Sequence, residues 1–139
     1  MHHLYDQYFR DLKDAAIEVD SFGWTGYAAY CLEYESGLRA NAFATLGTFI
    51  KVTTKASFTE RRRFVSWLSA FADERKGRDR LIPYPLRKKV IEPTLDEWVQ
   101  REPQCPEPHR WLGGRDHLER ALELVPTDQI AIRKLVVLC

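Results

Sequence analysis

The chain carries no familiar catalytic signature and no long apolar run. G-x-S-x-G, a P-loop and G-x-G-x-x-G are all missing, which excludes the nucleophile elbow and the glycine-rich phosphate cradles as local motifs. No stretch approaches the ~20 apolar residues that a membrane-spanning helix needs. Cysteine is scarce: Cys31, Cys105 and Cys139 are odd in number, widely spaced and without C-x-x-C. That pattern excludes a disulfide framework and points to reduced thiols in a cytoplasmic protein. The opening Met1-His2-His3-Leu4-Tyr5-Asp6 has no basic region followed by an apolar one, so no signal peptide is expected. Net charge is small too. Lys plus Arg is 21 against 20 for Asp plus Glu, a balance of +1, which argues against a dedicated nucleic-acid binder.

What remains is an ordinary globular composition, 45% hydrophobic and 29% charged over 139 residues. This is enough for one domain with its own core. The charge is unevenly spread. Residues 57–89 hold ten bases and four acids, while the flanks 1–56 and 90–139 are mildly acidic.

Periodicity predicts an all-α fold. Leu4, Tyr8, Phe9, Leu12, Ala16 and Val19 make one stripe, and the apolar run Trp24–Tyr34 suits a mostly buried helix. Residues 38–56 read two ways. Ala42, Phe43, Leu46, Phe49 and Ile50 fit a helix, whereas Ile50, Val52 and Thr54 alternate like a strand; the Ala-rich start favours helix. Ser57-Phe58-Thr59-Glu60 is a capping box, and Phe64, Trp67, Leu68 and Phe71 follow at helical spacing. Trp67 is accordingly expected in the core. Pro83 and Pro85 mark a connector, residues 78–93, in which Pro93 should break or kink the chain. Short helices then follow around Leu95–Val99, after Pro108, from Asp116 to Val125 and over the last residues. One helical domain is expected, with an N-terminal half 1–77 and a repeat-like part 94–139.

The candidate chemistry is sparse. His109 and His117 lie eight apart across Gly113-Gly114, with Cys105, Glu107 and Asp116 nearby. No metal-ligand spacing is present, so they read as surface or half-buried histidines with no metal. Cys31 sits in the most apolar stretch, where a thiol is inert. Cys105, four residues from His109, is the least implausible nucleophile. Trp24, Tyr27, Tyr30 and Tyr34 could stack on a ligand, but they read first as core aromatics.

The C-terminal third repeats itself. At one constant offset Leu95 aligns with Leu118, Val99 with Leu122 and Pro103 with Pro126, and each proline precedes a leucine, Leu112 or Leu135, by nine. Through Arg120-Ala-Leu-Glu-Leu-Val-Pro126 and Glu107-Pro-His-Arg-Trp-Leu-Gly113 this part resembles the tetratricopeptide repeat family, whose period, about 34 residues, is longer than the interval here. The resemblance covers residues 94–139 only. It implies helix–turn–helix units stacked into a protein-binding surface.

These features lead to a non-enzymatic protein–protein interaction module without cofactor, such as a small bacterial immunity or adaptor protein. The expected contact residues are Arg62, Arg78, Lys88, Lys89, Arg110 and Trp111, and the expected partner is a protein with an acidic face. Two alternatives stay open. One is an enzyme or ligand-binding domain with an aromatic pocket around residues 24–34; the other is nucleic-acid binding through residues 61–89. The apolar end Leu135-Val136-Val137-Leu138-Cys139 implies either a continuation of the chain or a homodimer through the last helix, with Leu135 and Leu138 pointing inward and Val136 and Val137 uncovered.

Overall fold

The computed structural model describes residues 2–75 and 77–138, with side chains from Arg10 onward. The predicted stripe residues Leu4, Tyr8 and Phe9, the side chains of His2 and His3, and Lys76 and Cys139 lie outside this description. The fold is all-α, with no strand among the described residues. The chain divides into two compact units, Met1–Val90 and Ile91–Cys139, and each is described by itself.

The first unit opens with α1 (His2–Asp20), α2 (Thr25–Glu35), α3 (Arg39–Thr54) and α4 (Phe58–Asp73). Short pieces follow, α5 (Arg78–Leu81) and α6 (Tyr84–Leu86). In the described part of α1 the stripe residues Leu12, Ala16 and Val19 are buried, together with Ala15. Helix α2 buries Tyr27, Ala28, Tyr30 and Cys31. Burying phenol rings is favourable only if their hydroxyls find partners. Tyr27 donates to the Leu81 carbonyl and Tyr30 to the Arg80 carbonyl, each at 2.6 Å.

Helix α3 resolves the ambiguous segment. Ile50 and Thr53 are buried three residues apart, while Val52 is 66% exposed, so the period of the helix prevails over alternation. Helices α2 and α3 meet closely at Gly26, where an added Cβ would stand 3.0 Å from Phe49 Cδ1. Helix α4 begins as its capping box predicts, with Glu60 N–H donating to Ser57 Oγ at 3.2 Å. Its Phe64 ring lies edge-on to Trp24, Tyr27 and Phe49 at 5.0–5.3 Å. Trp67 is only half-buried. It joins that aromatic cluster while its indole N–H reaches Glu18 at 2.8 Å, so one edge of the ring faces outward.

The descent from α4 is clamped by Asp11, a buried carboxylate of α1. It accepts from Gly77 N–H at 3.1 Å and from the Arg75 guanidinium at 3.2 Å; Asp14 takes a second arm of the same ion pair. Part of the basic segment is therefore committed to folding.

Residues Arg87–Ile91 form a π-helical turn. Pro93, close behind, has no N–H for the carbonyl four residues back and its ring crowds that carbonyl. The expected break does not occur. The wider turn takes up the conflict ahead of the proline, and Pro93 sits in the first turn of α7 (Glu92–Arg101).

The second unit continues with α8 (Glu107–Leu112), α9 (Arg115–Leu124) and α10 (Gln129–Leu138). Each of these helices packs on the next. Gly113 and Gly114 both adopt positive φ, 69° and 76°, and so turn α8 directly into α9. Buried positions recur at the offset of the sequence repeat: Leu95 and Leu118, Trp98 and Ala121, Pro108 and Ala131. Leu135 packs on the core of Leu118, Ala121 and Ala131. Leu138 differs from expectation: at 50% exposed it joins Val136 (67%) and Val137 (80%) on the open side of the last turn.

Candidate functional site

Three places gather chemistry, two in the first unit and one in the second. The first is the stretch from α5 to the π turn. Arg78 heads α5 and is exposed. Tyr84 opens α6 and is 71% exposed, with the Lys88 ammonium 5.8 Å from its ring centroid. The neighbouring Lys89 is exposed as well. Beside it runs a groove of about 540 Å³ between α3 and this segment, lined by Phe43, Leu46, Gly47, Ile50, Lys51, Thr54, Pro85 and Lys89. Its polar members are two lysines and a threonine whose hydroxyl turns back to the Lys51 carbonyl at 3.1 Å.

Other predicted contact residues stand elsewhere. Arg62 lies on α4 with its guanidinium 5.8 Å from the Phe58 ring centroid. Its neighbours are engaged locally: Arg61 donates to the Ala56 carbonyl and Arg63 pairs with Glu60. Arg110 and Trp111 belong to α8 in the second unit. Arg110 contacts the buried Asp128 carboxylate at 2.8 and 2.9 Å, which in turn caps α10 by accepting from Ala131 N–H at 3.0 Å. Trp111 donates to Glu107 at 3.0 Å, and the cations of Arg110 and Lys134 stand 5.4 and 5.8 Å from its ring centroid. The guanidinium of Arg110 thus has a structural task of its own.

The second place is a cleft of about 540 Å³ bounded by the start of α2, by α3 and by α4. Trp24, Phe49, Val52 and Phe64 give its apolar walls; Thr25, Thr45, Thr48, Thr53 and Glu60 give its polar points. Thr45 is already tied to Glu33 at 2.6 Å. Of the four aromatics expected in a pocket only Trp24 lines it. Tyr27 and Tyr30 are core, and burial pushes both phenols well above their ordinary range. Burial likewise pushes the Cys31 thiol up to about 12, which disfavours the thiolate that a nucleophile needs.

The third place is the histidine pair of the second unit. His109 Nδ1 and His117 Nδ1 are 3.0 Å apart, with ring centroids at 5.2 Å. Two ring nitrogens at 3.0 Å are within hydrogen-bond distance of one another. The geometry is that of a hydrogen bond, in which one ring supplies the proton and the other the lone pair. Burial lowers the pKa of His109, and His117 and Arg120 lower it further. Among the described residues no group of three or more His, Cys, Asp or Glu stands where it could hold a metal ion.

Of the residues that line the groove beside α3, Lys89 was among those singled out in the sequence and Gly47 was not. The signal was available, since Gly47 interrupts an otherwise good helical stretch. A glycine in mid-helix costs about 1 kcal/mol relative to alanine. No helix among the described residues is long and apolar enough to cross a membrane. A scan against protein-family models finds no match, and searches of curated proteins and of solved structures find none either.

Proposed function

We propose that the chain is a non-enzymatic protein-interaction module whose partner presents an acidic face. The class that suits it is a small bacterial immunity or adaptor protein working in the cytoplasm. The observation that carries this reading is Tyr84, 71% exposed with Lys88 over its ring, on a stretch that also exposes Arg78 and Lys89. Tyrosine and arginine are enriched where interfaces draw their energy, because an amphipathic ring buries much area at little entropic cost. Aromatics of the basic region that would serve nucleic acid, Phe64 and Trp67, belong instead to the aromatic cluster inside the first unit. The repeat-like reading of residues 94–139 draws support from the burial pattern, which recurs at the offset of the sequence repeat. A homodimer through α10 draws support from the exposure of Val136, Val137 and Leu138.

The test is a photo-crosslinking amino acid placed at Tyr84 in cells of the native host, with the same label at Ile17 as control. A protein adduct specific to position 84, lost with Lys88→Glu and Lys89→Glu at unchanged melting temperature, is the expected result. Equal labelling at both positions refutes the proposal. A second reading rests on the cleft around Trp24. Its volume of about 540 Å³ and its mixture of aromatic walls and hydroxyls suit a small uncharged ligand. Quenching of Trp24 fluorescence by a bound compound, in a variant with Trp67, Trp98 and Trp111 all replaced by Phe, would favour it.

A further inference from the structure

We propose that the groove between α3 and the Pro85–Lys89 segment is the seat of an acidic peptide segment carrying a bulky apolar anchor residue. This rests on the protein-binding reading above and deepens it. Gly47 is the starting point. It lies in the middle of α3, where the missing side chain weakens the helix. Folding has no use for it there: its φ is not positive, and an added Cβ would meet nothing within 4 Å. Gly26, one helix earlier, is different, because Phe49 fills its space. The open space over Gly47 is the groove itself.

The walls define what fits. Leu46 and Ile50 are nearly buried and form an apolar base, while Phe43 is 38% exposed at the edge and Pro85 closes the opposite side. Such a base takes an apolar side chain. Lys51 and Lys89 line the same groove, and neither has an ion-pair partner among the described residues. No carboxylate lines the groove. Two unneutralised ammonium groups beside an apolar floor are complementary to carboxylates flanking an apolar anchor, and they disfavour a neutral or basic segment. Exposed Tyr84 and Lys88, on the same short segment as Pro85 and Lys89, extend the contact beyond the groove.

The experiment selects random 12-residue peptides displayed on phage against the full chain, then measures binding of the enriched peptides by fluorescence anisotropy. Enriched sequences should pair Asp or Glu with Leu, Ile, Phe or Trp. Gly47→Leu fills the groove and strengthens the helix, and it should reduce affinity at least about tenfold. Lys51→Glu with Lys89→Glu should lose about as much or more, and raising salt should weaken wild-type binding. Gly47→Ser, which adds little bulk, is the control for folding and should bind nearly normally. Enrichment of neutral or basic peptides overturns the proposal, and so does binding that ignores Gly47→Leu. If the Tyr84 cross-link to a cellular partner persists in Gly47→Leu, the partner is real and the groove is not its seat. If that cross-link never forms, the broader reading fails by itself.

Discussion

Cutting the Arg110–Asp128 pair from its two sides should give unequal losses. The Asp128 carboxylate has 3% side-chain exposure and the Arg110 guanidinium side chain 22%. Arg110→Met keeps the aliphatic stem against Trp111 but strands a carboxylate with almost no access to water. Breaking a buried pair in this way costs about 3–5 kcal/mol. Asp128→Asn is milder on two counts. The amide oxygen can still accept from Ala131 N–H at the start of α10, which preserves a cap worth about 1 kcal/mol. The group left behind is Arg110, which is exposed enough to turn toward solvent, so a loss of about 1–2 kcal/mol is expected. Asp128→Ala adds the lost cap and should fall between the two. Hydrogen exchange of the α9 and α10 amides, read with urea unfolding of the full chain, measures all three. If Arg110→Met proves as mild as Asp128→Asn, the carboxylate is hydrated in solution and the ordering by burial is wrong.

Tyr27→Phe leaves the Leu81 carbonyl without its buried donor and should cost about 1–3 kcal/mol in urea unfolding, whereas Tyr30→Phe, on a less buried bond, should cost about 1 kcal/mol. His109 has a lowered pKa when folded, so the unfolded chain takes up the proton first. The stability that this residue contributes is complete above the ordinary histidine value of about 6.5 and declines as pH falls through the folded value. Urea midpoints between pH 5 and 8 should show this fall in wild type and a flatter line in His109→Gln; parallel lines would refute it. With iodoacetamide at pH 8, Cys105 should alkylate readily and Cys31 only in denaturant, as mass spectrometry of the peptides will show. Sedimentation of dilute protein tests the α10 dimer: Val136→Lys with Val137→Lys should shift any dimer to monomer, and a wild-type monomer ends that reading.

Helices were legible in the sequence wherever one periodicity stood alone. The described end of the α1 stripe, the Ser57 cap of α4 and the apolar length of α2 were each visible in this way. At Ile50–Thr54 two periods competed, and the contest was settled by burial of Thr53, a polar residue that a hydrophobicity pattern undervalues. Pro93 read as a break or a kink; of the two, no break occurs, because a helix can widen by one residue ahead of a proline. The candidate site was legible only in part. Lys88, Lys89 and Arg78 stood out as a charge cluster, and they are exposed. Arg110 had the same charge, but its partner Asp128 lies beyond the whole of α9, a separation no local motif records. The hydrogen-bonded histidines were visible as two residues across a Gly-Gly turn, and the paired positive φ values set that turn.

The two phenol hydroxyls of α2 have a consequence for recognition. They grip consecutive carbonyls, Arg80 and Leu81, just ahead of Tyr84, and the π turn follows only a few residues later. A partner that docked on Tyr84 would therefore meet a short arch whose first foot is tied to α2 and whose far side buries Leu86 and Val90. Little main-chain freedom is left to surrender, so affinity should depend mainly on side-chain complementarity, with a small ordering penalty. Loosening one foot with Tyr27→Phe should then slow association and weaken binding at a site that the substituted ring never touches.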